Sequence, residues 1–189
     1  MNNYQNPPLS SPTSSGLLCI NLETICKNWL SLAKIVHPAE CAAVVKADAY
    51  GLGIQKVMPS LNATGCKTFF IATPKEADEA RLLCPEAQIF VLDGLFSNAA
   101  QSLDEIDAIP CLSSLEEVRE WSEYAINSGK KLKSCLHIDS GLSRLGLAAE
   151  EIEAILGNST ILNSLDIVLV MSHLASDDDP SEPINRKQL

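Results

Sequence analysis

Three short segments of this chain carry side chains whose types and spacing suit chemistry, and each follows an apolar run. The first reads Ala43-Val44-Val45-Lys46-Ala47-Asp48-Ala49-Tyr50-Gly51-Leu52-Gly53. A lysine at the end of a buried strand is unusual, because removal from water penalises the ammonium and lowers its pKa. Imine chemistry requires that shift, since only the neutral amine adds to a carbonyl. Gly51 and Gly53 permit close backbone approach to a ligand. Without a function, the same residues read as a lysine snorkelling from a strand end beside a packing tyrosine.

The second segment is His137-Ile138-Asp139-Ser140-Gly141-Leu142-Ser143-Arg144-Leu145-Gly146. An acid, a flexible turn and an arginine follow a strand, a layout in which a guanidinium can fix an anionic group. The plainer reading is a connecting loop with Asp139 as its turn residue and Arg144 as a surface cation. The third segment runs from Met171 to Asp179 and places His173 just past an apolar strand. A single histidine is more often structural than catalytic. Asp177–Asp179 lacks the spacing of a calcium loop and reads as solvated.

These segments need elements to position them. Apolar runs predict strands over Ala42–Ala47, Thr68–Ala72, Gln88–Leu92, Ile109–Leu112, Ser134–Ile138 and Ile167–Met171. Amphipathic stretches between them predict helices over Glu23–Val36, Ile54–Asn62, Pro74–Leu83, Ser97–Leu103, Leu115–Asn127 and Ala149–Leu156. Pro74 suits a first helical position, Ser114-Leu115-Glu116-Glu117 has the form of a capping box, and Gly129 suits a helix end. Successive strand starts lie 26, 20, 21, 25 and 33 residues apart. Repeated βα units imply a parallel α/β sheet covered by helices, and the unbroken apolar strands fit burial on both faces. No Gly-x-Gly-x-x-Gly follows the first strand, which disfavours a dinucleotide-binding sheet and favours a TIM-type (β/α)8 barrel. Six units are legible where eight close a barrel of about 250 residues, so the barrel is expected to be incomplete.

Composition sets the outer limits. The 189 residues are 46% hydrophobic and 20% charged, enough apolar surface to exclude a wholly disordered chain. A net charge of -10 argues against a nucleic-acid partner. No apolar run approaches the ~18 residues that span a bilayer. Seven cysteines are scattered without a C-x-x-C pair, so no metal site is expected and small buried thiols are; Cys135, close to the second segment, is the candidate for reactivity. Residues 1–16 are rich in Asn, Ser and Pro and read as a disordered tail without a secretory signal, which points to the cytoplasm.

Taken together, the three segments resemble the N-terminal barrel domain of the alanine racemases, fold-type III pyridoxal-phosphate enzymes, over residues 17–189. The lysine motif, Lys46-Ala47-Asp48-Ala49-Tyr50-Gly51-Leu52-Gly53, is the specific part of the likeness. The resemblance implies that Lys46 joins covalently to pyridoxal 5'-phosphate and serves as one of two racemising bases. It implies that Tyr50 binds the cofactor phosphate, that Leu92 lines the pocket, and that His173 lies against the pyridine ring. Arg144 would meet the phenolic oxygen and the substrate carboxylate. The chain departs from the family at His137, where many members have a carbamylated lysine that braces the arginine. A neutral imidazole can accept from Arg144 but carries no fixed negative charge. The implied reaction interconverts L- and D-alanine for cell-wall peptidoglycan, with a second base, a tyrosine, donated from a C-terminal β-domain across a homodimer. That domain and the last two barrel strands are not found here, so the chain is expected to be a truncated N-terminal fragment with little racemisation of its own. Two alternatives stay open: a cofactor-binding module resembling the pyridoxal-phosphate homeostasis proteins, and a cofactor-free degenerate domain serving only for interaction.

Overall fold

Thr73 and Ser114 illustrate how the chain punctuates itself. The Thr73 hydroxyl accepts from Glu76 N, and the Glu76 carboxylate returns to the Thr73 and Ala72 amides, starting α4 (Pro74–Leu83) with a proline in its first turn. Ser114 caps α6 (Leu115–Ser128) in the same way, and Gly129, in the left-handed region at φ 67°, closes it. The remaining helices are α1 (Leu22–Val36), the short α2 (Lys46–Gly51), α3 (Ile54–Thr64), α5 (Ala100–Glu105), α7 (Ala149–Gly157) and α8 (Pro183–Gln188). The strands are β1 (Ala43–Val44), β2 (Thr68–Ile71), β3 (Gln88–Val91), β4 (Ile109–Leu112), β5 (Leu132–His137) and β6 (Leu165–Met171). The computed structural model describes Gly16 and residues 18–189, so the tail expected over residues 1–16 lies, Gly16 apart, outside the described residues.

All six strands form one parallel sheet in the order β1-β2-β3-β4-β5-β6. A doubly wound sheet reverses its strand order at a switch point, whereas a barrel adds each strand beside the last. The unreversed order is that of six consecutive barrel units. Side chains alternate between the two faces. Phe69, Ile71, Ile89, Val91 and Leu112 face the helices and pack with Met58, Leu103, Val118 and Trp121. Phe70, Phe90, Ile109, Cys111, Cys135 and Leu169 face the other way and form a second, smaller cluster inside the curve. Stacking of Phe70 on Phe90 at 4.8 Å fills part of that interior. A register shift opposite Ser134/Cys135, where Ile167 pairs with Ser134 and Leu169 with Cys135, makes Val168 the extra residue of β6 and turns Leu169 inward. β1 and β6 are the two edges, where Val44, Val168 and Val170 stay 46, 42 and 60% exposed.

Two boundaries differ from expectation by three residues, and the others by two or fewer. The first strand ends at Val44 rather than Ala47, because Lys46–Gly51 turns left-handed. The fifth helix begins at Ala100, three residues beyond the predicted Ser97, with Asn98 at positive φ in the bend before it. Among the described residues no helix is long and apolar enough to cross a membrane.

Candidate active site

The Lys46 segment departs most from ordinary backbone geometry. Ala47, Asp48, Ala49 and Tyr50 all lie at φ 52–57° and ψ 37–52°, a left-handed turn that costs roughly 1–2 kcal/mol per L-residue. Such a turn persists only when its surroundings over-determine it. Val45 N donates to Phe70 O and Ala49 N to Val45 O, which seats the turn on β1 and β2. The Asp48 carboxylate accepts from Ile54 N at 2.7 Å, and Asp48 O accepts from Gly53 N at 2.9 Å. Ala47 N donates to the Glu76 carboxylate at 2.9 Å. The left-handed path displays Lys46 and Tyr50 on one wall of a common cavity.

Arg144 is carried by a loop that closes on itself. Asp139 Oδ1 accepts from Gly141 N and Ser143 N, and the Ser143 and Gly141 amides hold the Asp139 carboxyl below the usual range. At the loop's base Leu147 N donates to His137 O at 2.7 Å and Asp139 N to Leu147 O at 3.1 Å. Gly146 sits at that pinch with φ 111°, and an added Cβ would lie 2.5 Å from Asp139 N. Only glycine passes there. Asp139 is thus the turn residue of the plainer reading, while Arg144 lines the cavity rather than facing only solvent.

His137 and His173 flank this loop. His137 is 3% exposed, and its Nδ1 lies 3.5 Å from Ser113 Oγ. The Ser113 hydroxyl lies closer, at 3.2 Å, to Cys111 O, which can only accept. Its hydrogen goes there, leaving Nδ1–H as donor and Nε2 as a lone pair. Nε2 is sealed from solvent and finds no partner among the described residues. Burial, helped by His173 and Arg144 and opposed by Asp139, lowers the His137 pKa and keeps it neutral. His173 Nδ1 lies 2.8 Å from its neighbour's carbonyl, Leu174 O, so a neutral ring carries its hydrogen there and its lone pair on Nε2. Gln188 of α8 donates to His173 O, accepts from Ala175 N and reaches Ser140 Oγ, binding the His173 and Arg144 loops together.

The five residues to which the resemblance gives a role at the cofactor (Lys46, Tyr50, Leu92, Arg144 and His173) line one cavity of about 270 Å³, with His137 beside them. Val44, Phe70 and Met171 give it apolar walls. Lys46 is half-buried rather than enclosed, because β1 is a sheet edge and the cavity opens beside it. Sequence reasoning missed Phe70 and Met171, although strand alternation places both on the inner face, and it missed Glu76, which the spacing Thr73-x-x-Glu76 announces. Cys135 is fully buried and pairs in register with Cys111, whose pKa is raised by its contact with Cys135 and by burial; neither thiol is presented to solvent. Among the described residues no group of three or more His, Cys, Asp or Glu side chains is placed to hold a metal ion.

Residues 20–189 match the family model described as alanine racemase, N-terminal domain. The chain belongs to the alanine racemase family. It is 41% identical over 177 residues to the alanine racemase of Brucella abortus (strain 2308), an alignment covering 93% of this chain and 45% of that protein. The crystal structure of alanine racemase from Bartonella henselae with covalently bound pyridoxal phosphate superposes with a TM-score of 0.87 at 36% identity, over 89% of this chain and 49% of that one. The sheet is therefore an alanine racemase barrel represented by six of its units. A histidine racemase from Leuconostoc mesenteroides subsp. sake NBRC 102480 shares the fold at a TM-score of 0.79 and 24% identity, over 88% of this chain and 45% of that one. The chain spans about half the length of the curated relatives it matches.

Proposed function

We propose that this chain is the cofactor-carrying half of an alanine racemase, which binds pyridoxal 5'-phosphate on Lys46 and interconverts L- and D-alanine. The observation that carries the reading is the convergence of Lys46, Tyr50, Leu92, Arg144 and His173, separated by up to 127 residues, on one cavity. Its donor set suits that cofactor: a primary amine for an aldehyde, a cation and a phenol for anionic groups, and Val44, Phe70, Leu92 and Met171 for a flat ring. A volume of about 270 Å³ approaches the ~300 Å³ of small-ligand clefts. Pyridoxal phosphate supplies an electron sink that makes the α-proton of an amino acid removable.

The chain's residues do the rest. Lys46 Nζ, when neutral, would hold the cofactor by condensing with its aldehyde and releasing water, and once the substrate's amine displaced it, the freed amine would carry a proton to and from one face of the substrate. The Arg144 guanidinium attracts the substrate carboxylate and the anionic oxygen beside the ring. Tyr50 offers its hydroxyl to the phosphate, and His173 orients the partner of the ring nitrogen. Racemisation also requires a proton donor on the opposite face. We assign that second base, and the homodimer that presents it, to the part of the relatives beyond the matched region. A cytoplasmic enzyme supplying D-alanine for peptidoglycan completes the reading.

Borohydride reduction of the protein after incubation with pyridoxal phosphate, followed by peptide mass spectrometry, tests it. The reduced cofactor is expected on Lys46, and Lys46→Ala is expected to abolish labelling. Absence of label, or equal label elsewhere, overturns the assignment. Labelling of Lys46 without alanine racemisation, when the remaining half of a relative is supplied, would favour a cofactor-binding module instead.

A further inference from the structure

Glu76 stands at the third position of α4, where a carboxylate ordinarily does one job. A helix-capping glutamate needs one oxygen, and Glu76 Oε2 fills that role by accepting from Ala72 N at 2.7 Å and Thr73 N at 3.4 Å. The other oxygen, Oε1, accepts from Ala47 N at 2.9 Å, 29 residues earlier in the chain. Ala47 follows Lys46 directly and is the first of the left-handed residues. The Asp48 bonds to Gly53 N and Ile54 N are internal to the segment, so they fix its shape but not its seat. The Glu76 bond fastens it to the next βα unit, at the point where the chain leaves Lys46.

We propose that Glu76 is a positioning residue for Lys46, its carboxylate clamping the left-handed turn to the start of α4 so that the amine stays in the cavity. The proposal deepens the functional reading above and rests on it for its consequence, though not for its geometry. The chemistry requires a carboxylate. A glutamine has a single acceptor oxygen and can serve Ala47 N or Ala72 N, but its amide would face the other N–H with a second donor. An aspartate is one methylene too short to span both.

The test compares Glu76→Gln with Thr73→Ala in the cofactor-free full chain, by hydrogen exchange read over residues 45–53 and over the first turn of α4. Thr73→Ala removes a cap bond from Glu76 N but leaves the Ala47 bond in place. Glu76→Gln is expected to speed exchange over 45–53 about tenfold, the effect of losing a bond to an ionised acceptor; Thr73→Ala is expected to speed only the helix. Borohydride-trapped cofactor on Lys46 is expected to fall in Glu76→Gln and not in Thr73→Ala. Unchanged exchange over 45–53 in Glu76→Gln, or equal loosening by both variants, overturns the proposal. Should the unaltered chain trap no cofactor, the functional reading fails, while the exchange data still decide whether Glu76 holds the turn.

Discussion

His137 is a buried imidazole with one nitrogen engaged and the other unpaired. Its folded pKa lies below the unfolded value of about 6.5. The unfolded chain therefore binds the proton more readily, and His137 removes stability as pH falls from about 6.5 through the folded pKa, with none removed above. Denaturant melts taken between about pH 7 and pH 5 should show that loss, and His137→Asn should flatten the slope. An unchanged slope in the variant would overturn the assignment of this loss to His137. At this scale the sequence was generous with identities and silent on geometry. Lys46, Arg144 and His173 stood out because charged or polar side chains follow apolar runs. The tautomer of His137 did not, since it depends on where a serine 24 residues away sends its single hydrogen.

Elements come next. Helix boundaries were legible wherever a cap or a proline marked them: Pro74–Leu83 falls where expected, and Leu115–Ser128 lies within a residue. The left-handed turn was not, because Ala47, Ala49 and Tyr50 have no local preference for that region, a lone Asp48 visits it only as a single residue, and contacts that impose the turn come from Glu76 and Ile54. The Arg144 loop shows the opposite case, a conformation written in one glycine. Gly146→Ala adds a Cβ against the Asp139 and Ile138 backbone at positive φ. We expect a loss of about 2 kcal/mol in urea unfolding, together with weaker capture of anionic ligands, because the loop cannot close beneath Arg144. A variant as stable as the parent would show that the pinch at Leu147 is dispensable.

For the whole molecule, the count of six units and their parallel order were readable from strand spacing alone, because each unit repeats the same apolar-then-amphipathic pattern. How the edges stand was not readable, since a strand run looks the same in the middle of a sheet and at its border. Here, among the described residues, β1 and β6 are the sheet's edges beside exposed Val44, Val168 and Val170, the arrangement that invites edge-to-edge pairing. The chain by itself is expected to associate with rising concentration, and Val168→Lys with Val170→Lys is expected to suppress this in sedimentation velocity. Concentration-independent sedimentation of the parent chain would refute the expectation.

Glu76 has counterparts further along. The Glu117 carboxylate takes the Ser113 amide and reaches back to Leu95, and Glu151 takes the Ala148 amide and reaches back to Leu115 N. Each links its own unit to the one before it. A nascent chain built this way can zip up vectorially as it leaves the ribosome, since every partner needed by an emerging carboxylate has already been synthesised.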